Sequence, residues 1–397
     1  METRRNGTAD ECHVESLPDA EFSRHGKEPR GTECPEGHAA VLEARVPLQS
    51  TWPTGEGASG RESAGIAEGP ALSPASPDVS IVIRACDEER ALPATLSAIA
   101  QQNYPGTVEV VLVDAGSTDA TVRIAERAGV RVVHLGRRFS PGLASNTGFE
   151  AARAPICVLL SAAAFPADRE WLARLVAPLD EGSGTLAATF SRQVPVPGAS
   201  PIEEGFLSMA FGTTTTTVAY SSTSGAIRRA IWERHRFEET FPAGGPDDRE
   251  WFDRVARGGY ASRYVADSII HRSHGYSLSQ WYHRVWADAA GERMIVARGG
   301  RGHAPTRSPL MLAMATLTGL VGDRRPREIL RYFGVAPVLA LARWRGATGR
   351  DPHRFRGIID ALDRFDRRIF TPVERGQRAV GAFLDTYWAR PGTEGDE

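Results

Sequence analysis

VSIVIRACDEERALPATLSAIAQQNYPGTVEVVLVDAGSTDATVRIAERAGVRVVHL, residues 79–135, is the stretch whose reading decides the fold. VSIVIRA (79–85), VEVVLVD (108–114) and VRVVHL (130–135) are short, nearly continuous apolar runs rich in β-branched residues. Such runs suit strands buried on both faces of a sheet. Between them lie two helical patterns. Leu92, Leu96 and Ile99 share one face of the first, which stops near NYPG (103–106). GSTDATVRIAERAG (116–129) starts with Ser and Asp and ends on Gly. Strands that alternate with helices predict a mostly parallel sheet with helices on both faces, an α/β fold. SPGLASNTGFEAARA (140–154) and ICVLLS (156–161) continue the alternation as a helix and a fourth strand. In such sheets ligands bind beyond the carboxyl ends of the strands. That rule places Arg84–Glu89, Asp114–Ser117 and Ser161–Phe165 around one crevice.

Further along, helices are expected over 168–179, 201–211, 246–260 and 278–298, and strands over 185–192 and 261–274. VAYSSTSGAIRRAIWERH (218–235) reads as a strand leading into a helix, and 308–390 as all-helical. Residues 1–77 hold nine Gly and eight Pro with two aromatics, so they are expected to be a disordered tail. The organisation expected is thus a tail (1–77), a catalytic-type domain (78–299) and a helical extension (300–397). Lys+Arg against Asp+Glu is 7 against 13, 23 against 25, and 17 against 11 in these three parts. The basic last part suits an ordinary packing face or peripheral contact with anionic lipid. The net charge of −2 argues against a general nucleic-acid binder. No apolar leader opens the sequence, and PLMLAMATLTGLV (309–321) is too short to span a bilayer. A cytoplasmic protein is expected, either soluble or peripheral on the inner face of the plasma membrane. The four cysteines show no CxxC spacing, and reduced thiols are expected of them.

Three constellations could carry chemistry. Asp114 ends a buried strand at the crevice mouth, where a carboxylate can meet a ribose or base. Asp119 suits a helix cap instead. Asp247 and Asp248 stand together at a helix start, where the dipole favours an ionised carboxylate and hence a general base; acidic residues are also ordinary stabilisers there. His271 and His274 flank Arg272 at a strand exit, a weak metal signal. GxxxxGK[ST], GxGxxG and GxSxG are all absent, which disfavours a P-loop NTPase, a dinucleotide site and a hydrolase elbow.

The run SIVIRACDEERALPATLSAIAQQNYPGTVEVVLVDAGSTDATVRIAERAG (80–129) resembles the opening of family 2 glycosyltransferases with the GT-A fold. IR (83–84), FSPG (139–142) with Asn146, LLSAAAFPADREWLARLVAPL (159–179), SGAIRRAIWE (224–233), DDREW (247–251) and SHGYSL (273–278) resemble the bacterial rhamnosyltransferase-like branch. The resemblance implies an inverting transfer of a sugar from a nucleotide-diphosphate donor to a hydroxyl acceptor (a glycan, a lipid-linked molecule or a small molecule). Asp248 would be the catalytic base. Ala85, Asp87, Glu88 and Asp114 would form the nucleotide-sugar site, and Asp247 and Trp251 the acceptor site. His274 would be a metal ligand, with Mn or Mg as the divalent cation. One departure stands out. Ser161-Ala162-Ala163-Ala164-Phe165 lacks the acidic residue that the family places after this strand, and a hard cation needs oxygen ligands. Metal held by Asp114, His274 and water, transfer without metal, and lost turnover in a nucleotide-sugar-binding scaffold all remain open. If no metal neutralises the leaving diphosphate, Arg272 is the candidate cation, with Arg137 and Arg138 behind it.

Overall fold

The computed structural model describes residues 77–370 apart from 137–138, 182–183, 198, 213–219, 273–275 and 301–325. The expected N-terminal tail, His274, Arg137, Arg138 and much of the extension lie outside the described residues.

The four expected strands are present as β1 (Val79–Ala85), β2 (Val108–Asp114), β3 (Arg131–His134) and β4 (Ile156–Ser161). They alternate with α1 (Leu92–Ala100), α2 (Thr121–Arg127) and α3 (Pro141–Ala151). Next come β5 (Ala164–Pro166), α4 (Trp171–Glu181), β6 (Leu186–Pro195), α5 (Pro201–Ala210), β7 (Ser224–Arg228) and α6 (Arg229–Arg234). α7 (Asp247–Arg257), β8 (Ala261–Arg272) and α8 (Leu278–Ala297) follow. The extension contributes α9 (Pro326–Ala347), a 3₁₀ turn (Pro352–Phe355) and α10 (Arg356–Phe370).

All eight strands form one sheet, ordered β3-β2-β1-β4-β7-β6-β8-β5. The half built from 79–161 is parallel, as expected. The other half is mixed: β7 runs antiparallel to β4 and β6, β6 pairs parallel with β8, and β5 closes the edge antiparallel to β8. The α/β class stands, with helices covering the sheet.

β1 shows why its run is apolar throughout. Ile81 and Ile83 join the core that includes Leu92 and Leu96 of α1 and Trp171 and Leu175 of α4. Val82, one residue out of phase, joins the opposite core with Phe149 of α3, Trp232 of α6 and Trp251 of α7. Successive side chains of a strand point to opposite faces, so Arg84 falls on the Val82 face. Over that face α3 lies close. A Cβ placed on Gly148 would overlap Val82 Cγ1 and stand 3.0 Å from Val113 Cγ2. Both are stiff β-branched side chains held in a packed core. Gly148→Ala is therefore expected to destabilise the protein by about 1–3 kcal/mol despite its gain in helix propensity. Denaturant unfolding measures this, and an unchanged or higher midpoint would contradict the packing.

Asn146 ties α3 to the loop before α7. Its amide nitrogen donates to the Phe237 carbonyl and to Glu239 Oε1 at 2.9 and 3.0 Å. Its oxygen accepts from Trp232 Nε1 and the Phe237 amide, both at 3.0 Å. A buried amide with all four hydrogen bonds made fixes that loop in one place.

Helices α8 and α9 share an apolar cluster: Leu278, Trp281 and Tyr282 pack with Val335, Val338 and Leu339. The helical layer of the extension thus includes α8, which lies before the boundary expected at 299.

Candidate active site

A pocket opens at the carboxyl ends of β1 and β4, between β8, α7 and α8. Arg84, Ala85, Ser161, Asp247, Asp248 and Arg272 are among its walls. The pocket lies where the strand-end rule expects a crevice, and segments far apart in sequence meet there.

Asp248 sits at the start of α7, half-buried. Its Oδ2 accepts from the Ser222 amide at 3.0 Å and from Ser222 Oγ at 3.4 Å. Its Oδ1 accepts from the Arg249 amide at 2.8 Å. These donors fix the direction of the carboxylate. Asp247 is the harder neighbour to explain. It is 3 % exposed, and its Oδ2 has no hydrogen-bond partner among the described residues. Burial pushes its carboxyl up to about 7, with Asp248 adding to the effect and Arg84 opposing it. At Asp247, burial and a like charge thus outweigh the helix dipole. Tyr220 lies beneath the pair, fully buried, and burial pushes its phenol well up, with the charge of Asp248 next in order.

The cations come from two strands. Arg84 donates to Ser145 Oγ and Ser222 Oγ, both at 3.3 Å. Ser222 therefore links Arg84 to Asp248. Arg272, 6 % exposed, donates from Nη1 to Gln193 Oε1 at 2.6 Å and Thr223 Oγ1 at 3.0 Å. Arg284 of α8 also reaches the pocket wall.

Other expected site residues stand beside the pocket. Asp114 is 4 % exposed and turned into its own loop. It accepts from the Gly116 and Ser117 amides at 3.3 and 3.0 Å and faces His134 Nδ1 at 3.0 Å. Asp87, at φ +54°, accepts from the Thr118 amide and hydroxyl at 2.7 and 3.2 Å. The Glu88 amide donates to Thr121 Oγ1 at 2.7 Å. These bonds zip the β1–α1 loop to the β2–α2 loop behind Ala85 and Ala115. Asp119 accepts from the Thr121 amide at 2.8 Å in a turn one residue before the helix cap, which is Ala120 rather than the expected Asp119. Trp251 is not a pocket wall. It is fully buried, stacks on Phe237 (ring centroids 5.4 Å apart) and donates to the His235 carbonyl. It supports α7 from behind. Cys157 is a free, buried thiol.

Do these residues fit a divalent cation? Ala162, Ala163 and Ala164 are buried and offer no oxygen ligand from their side chains. Both oxygens of Asp114 are engaged in its own loop. Among the described residues no three acidic, His or Cys side chains gather as a metal cradle. His271 is partly buried, and burial lowers its pKa. The described side chains do not fit the metal that the family resemblance implied.

Sequence reasoning did not assign Ser222, Tyr220 or Arg284. Only tertiary contact brings them to the pocket. Arg84 had a legible signal, as the one charged residue in the buried strand VSIVIRA.

Residues 80–235 match the model of the family described as glycosyl transferase family 2. Over this segment the chain is similar to glycosyl transferase family 2. Of the pocket walls named above, the family 2 match covers Arg84, Ala85 and Ser161 and stops before Asp247. An uncharacterized glycosyltransferase of Mycobacterium tuberculosis is 36% identical over 120 residues, which is 30% of this chain and 50% of that protein. One of Mycobacterium bovis matches equally. The chain spans about half the length of these curated relatives. Among solved structures, a mannosyltransferase from Pyrobaculum calidifontis in complex with GDP-Man and Mn²⁺ is similar at 20% identity and a TM-score of 0.46. That alignment covers 78% of this chain and 88% of that one. A glucosyl-3-phosphoglycerate synthase from Mycobacterium tuberculosis, with Mn²⁺, UDP-glucose and phosphoglyceric acid, reaches 20% identity and a TM-score of 0.42 over 56% and 79% of the two chains. With both scores under 0.5, neither likeness bears on the ligands of this chain.

Proposed function

We propose that the pocket is the donor and acceptor site of an inverting hexosyltransferase with Asp248 as its general base. The observation that carries this reading is the pair at the start of α7. An oriented carboxylate, Asp248, stands at the pocket wall beside a buried one, Asp247, that resists ionisation. Two neighbouring carboxylates with different environments suit one base and one neutral partner.

The acceptor hydroxyl gives its proton to Asp248 while its oxygen bonds to the anomeric carbon from the side opposite the leaving group. The bond from that carbon to the diphosphate oxygen breaks, and its electron pair departs with the nucleoside diphosphate. Arg272 and Arg84 supply fixed positive charge for that departure, since guanidinium grips phosphate oxygens through paired donors. No step in this scheme passes through a metal. Ala85 lines the nucleotide end, and Asp87, Glu88 and Asp114 shape it by holding the two loops. Asp247 and Arg284 face the acceptor. The acceptor class (glycan, lipid-linked or small molecule) and the narrower rhamnosyltransferase-like likeness belong to this reading. So does a cytoplasmic site of action; no described helix is long and apolar enough to cross a membrane.

A second reading, a nucleotide-sugar-binding scaffold without turnover, is favoured by the alanines at 162–164. The test is a binding panel on the full chain with UDP, dTDP and GDP, with and without Mn²⁺, and Asp114→Ala as control. Selective binding weakened in the control supports the donor site, and no binding by a folded sample sinks both readings. Arg272→Met is expected to lower turnover by about 10²-fold, as for loss of one oxyanion donor. Unchanged turnover, with or without Mn²⁺, would remove Arg272 from the leaving-group site.

A further inference from the structure

We infer that the C-terminal helical extension is part of the catalytic apparatus, with Arg343 and Glu292 acting as positioning residues for the Asp247–Asp248 pair. The inference rests on the transferase reading of that pair for its kinetic consequence only.

Four charges run from α7 through α8 to α9. Arg249, next to Asp248, donates from Nη2 to Asp288 Oδ1 at 2.6 Å and from Nη1 to Glu292 Oε1 at 3.1 Å. The other oxygen of Glu292 accepts from Arg343 Nη2 at 3.2 Å. Side-chain exposures along the chain are 8 % for Arg249, 18 % for Asp288, 12 % for Glu292 and 23 % for Arg343. Two cations and two anions alternate along it. Deleting one partner of a buried set leaves an uncompensated charge, so each member depends on the others. Asp248 itself raises the pKa of Arg249, after Asp288 and Glu292, so this guanidinium is in electrostatic contact with the proposed base.

The backbones are locked on both sides of these charges. A Cβ on Gly291 of α8 would overlap Pro246 Cδ, the residue before Asp247. A Cβ on Gly346 of α9 would overlap the Trp286 carbonyl oxygen of α8. Helix α8 thus touches the start of α7 directly, and α9 holds α8 at the same closeness. At these two close approaches a displacement of α9 is passed to α8, and from α8 to Pro246 beside the pair. Misplacement of a reacting group by about 1 Å can cost about 10²-fold in rate.

Among the described residues, the charged and titratable groups around the pair are Arg84 from β1, Tyr220 before β7, Arg272 from β8, Arg284, Asp288 and Glu292 from α8, and Arg249 from α7 itself. Changing the charge of Glu292 or Arg343 alters the field of this set without touching the pocket wall. The two changes have opposite signs. Glu292→Gln removes a negative charge beside Arg249, which favours ionised carboxylates. Arg343→Met removes a positive charge, which disfavours them.

The test uses the full chain labelled with carboxyl-¹³C aspartate. The pair is followed by NMR as a function of pH and assigned by its loss in Asp247→Asn. The midpoint is expected to fall by about half a pH unit in Glu292→Gln and to rise by a similar amount in Arg343→Met. Arg343→Lys should restore it. Arg331→Met breaks the buried Arg331–Asp366 pair (2.7 and 2.8 Å) elsewhere in the same helical layer and should leave the midpoint in place. With a donor and acceptor in hand, turnover should fall at least 10-fold in both variants while nucleoside diphosphate affinity holds. Midpoints unmoved in both variants, or displaced in the same direction, would overturn the inference. If Arg343→Met does not fold, Glu292→Gln and Arg343→Lys decide it. Absence of transfer by the wild-type chain would refute the transferase reading and leave the titration to judge the coupling on its own.

Discussion

Asp248→Asn is expected to lower sugar transfer by about 10²–10⁴-fold, the usual contribution of a positioned general base. The substitution keeps size and shape, and the amide oxygen can still accept from the Ser222 or Arg249 backbone amide. Folding and nucleotide affinity should therefore survive, with the loss confined to turnover. An effect on turnover at constant donor affinity marks an interaction made in the transition state. Measured with a saturating donor, turnover within 10-fold of the wild type would exclude Asp248 as the base. The pair would then need another explanation.

Asp247→Asn is expected to stabilise the protein at alkaline pH and not at acid pH. Burial and Asp248 lift the Asp247 carboxyl from its ordinary 3.8 to about 7. A folded-state value above the unfolded one means that the folded protein binds the proton more tightly. The stability so conferred is complete below about pH 4 and is lost as pH rises through 7. At pH 8 the wild type carries an unwelcome buried charge that Asn lacks. The gain at pH 8 should be about 2–4 kcal/mol, and close to zero at pH 4. Urea unfolding at the two pH values measures the difference. Equal effects at both, or a loss at pH 8, would show that Asp247 ionises freely in the folded state. Turnover should fall too, because Asn alters the field at Asp248.

Most of the fold was legible because its evidence is local. A strand buried on both faces needs a continuous apolar run, and β1, β2 and β4 announce themselves in this way. The antiparallel half was less legible. Nothing in SGAIR says that β7 turns against β4, and the three residues of β5 join the sheet through β8. Within the site, Asp248 was found through the DDREW resemblance and does face the pocket. Trp251 was misplaced by the same resemblance. Trp251 and Val255 are four apart and both buried, so the helical period alone assigns Trp251 to the core face. Asp87 and Glu88 were read toward ligand, yet their bonds bind loop to loop, which no spacing reveals, and Asp114 accepts within its own loop. Arg249 matters through partners 39 and 43 residues away, beyond the reach of any local pattern.

The most direct test of the account follows the anomeric proton of the product by NMR. The full chain is incubated with UDP-, dTDP- and GDP-hexoses and a set of hydroxyl acceptors. A glycoside of configuration opposite to the donor's is expected, formed by the wild type and not by Asp248→Asn. A product with the donor's configuration would contradict this, as would tight donor binding with no transfer to any acceptor.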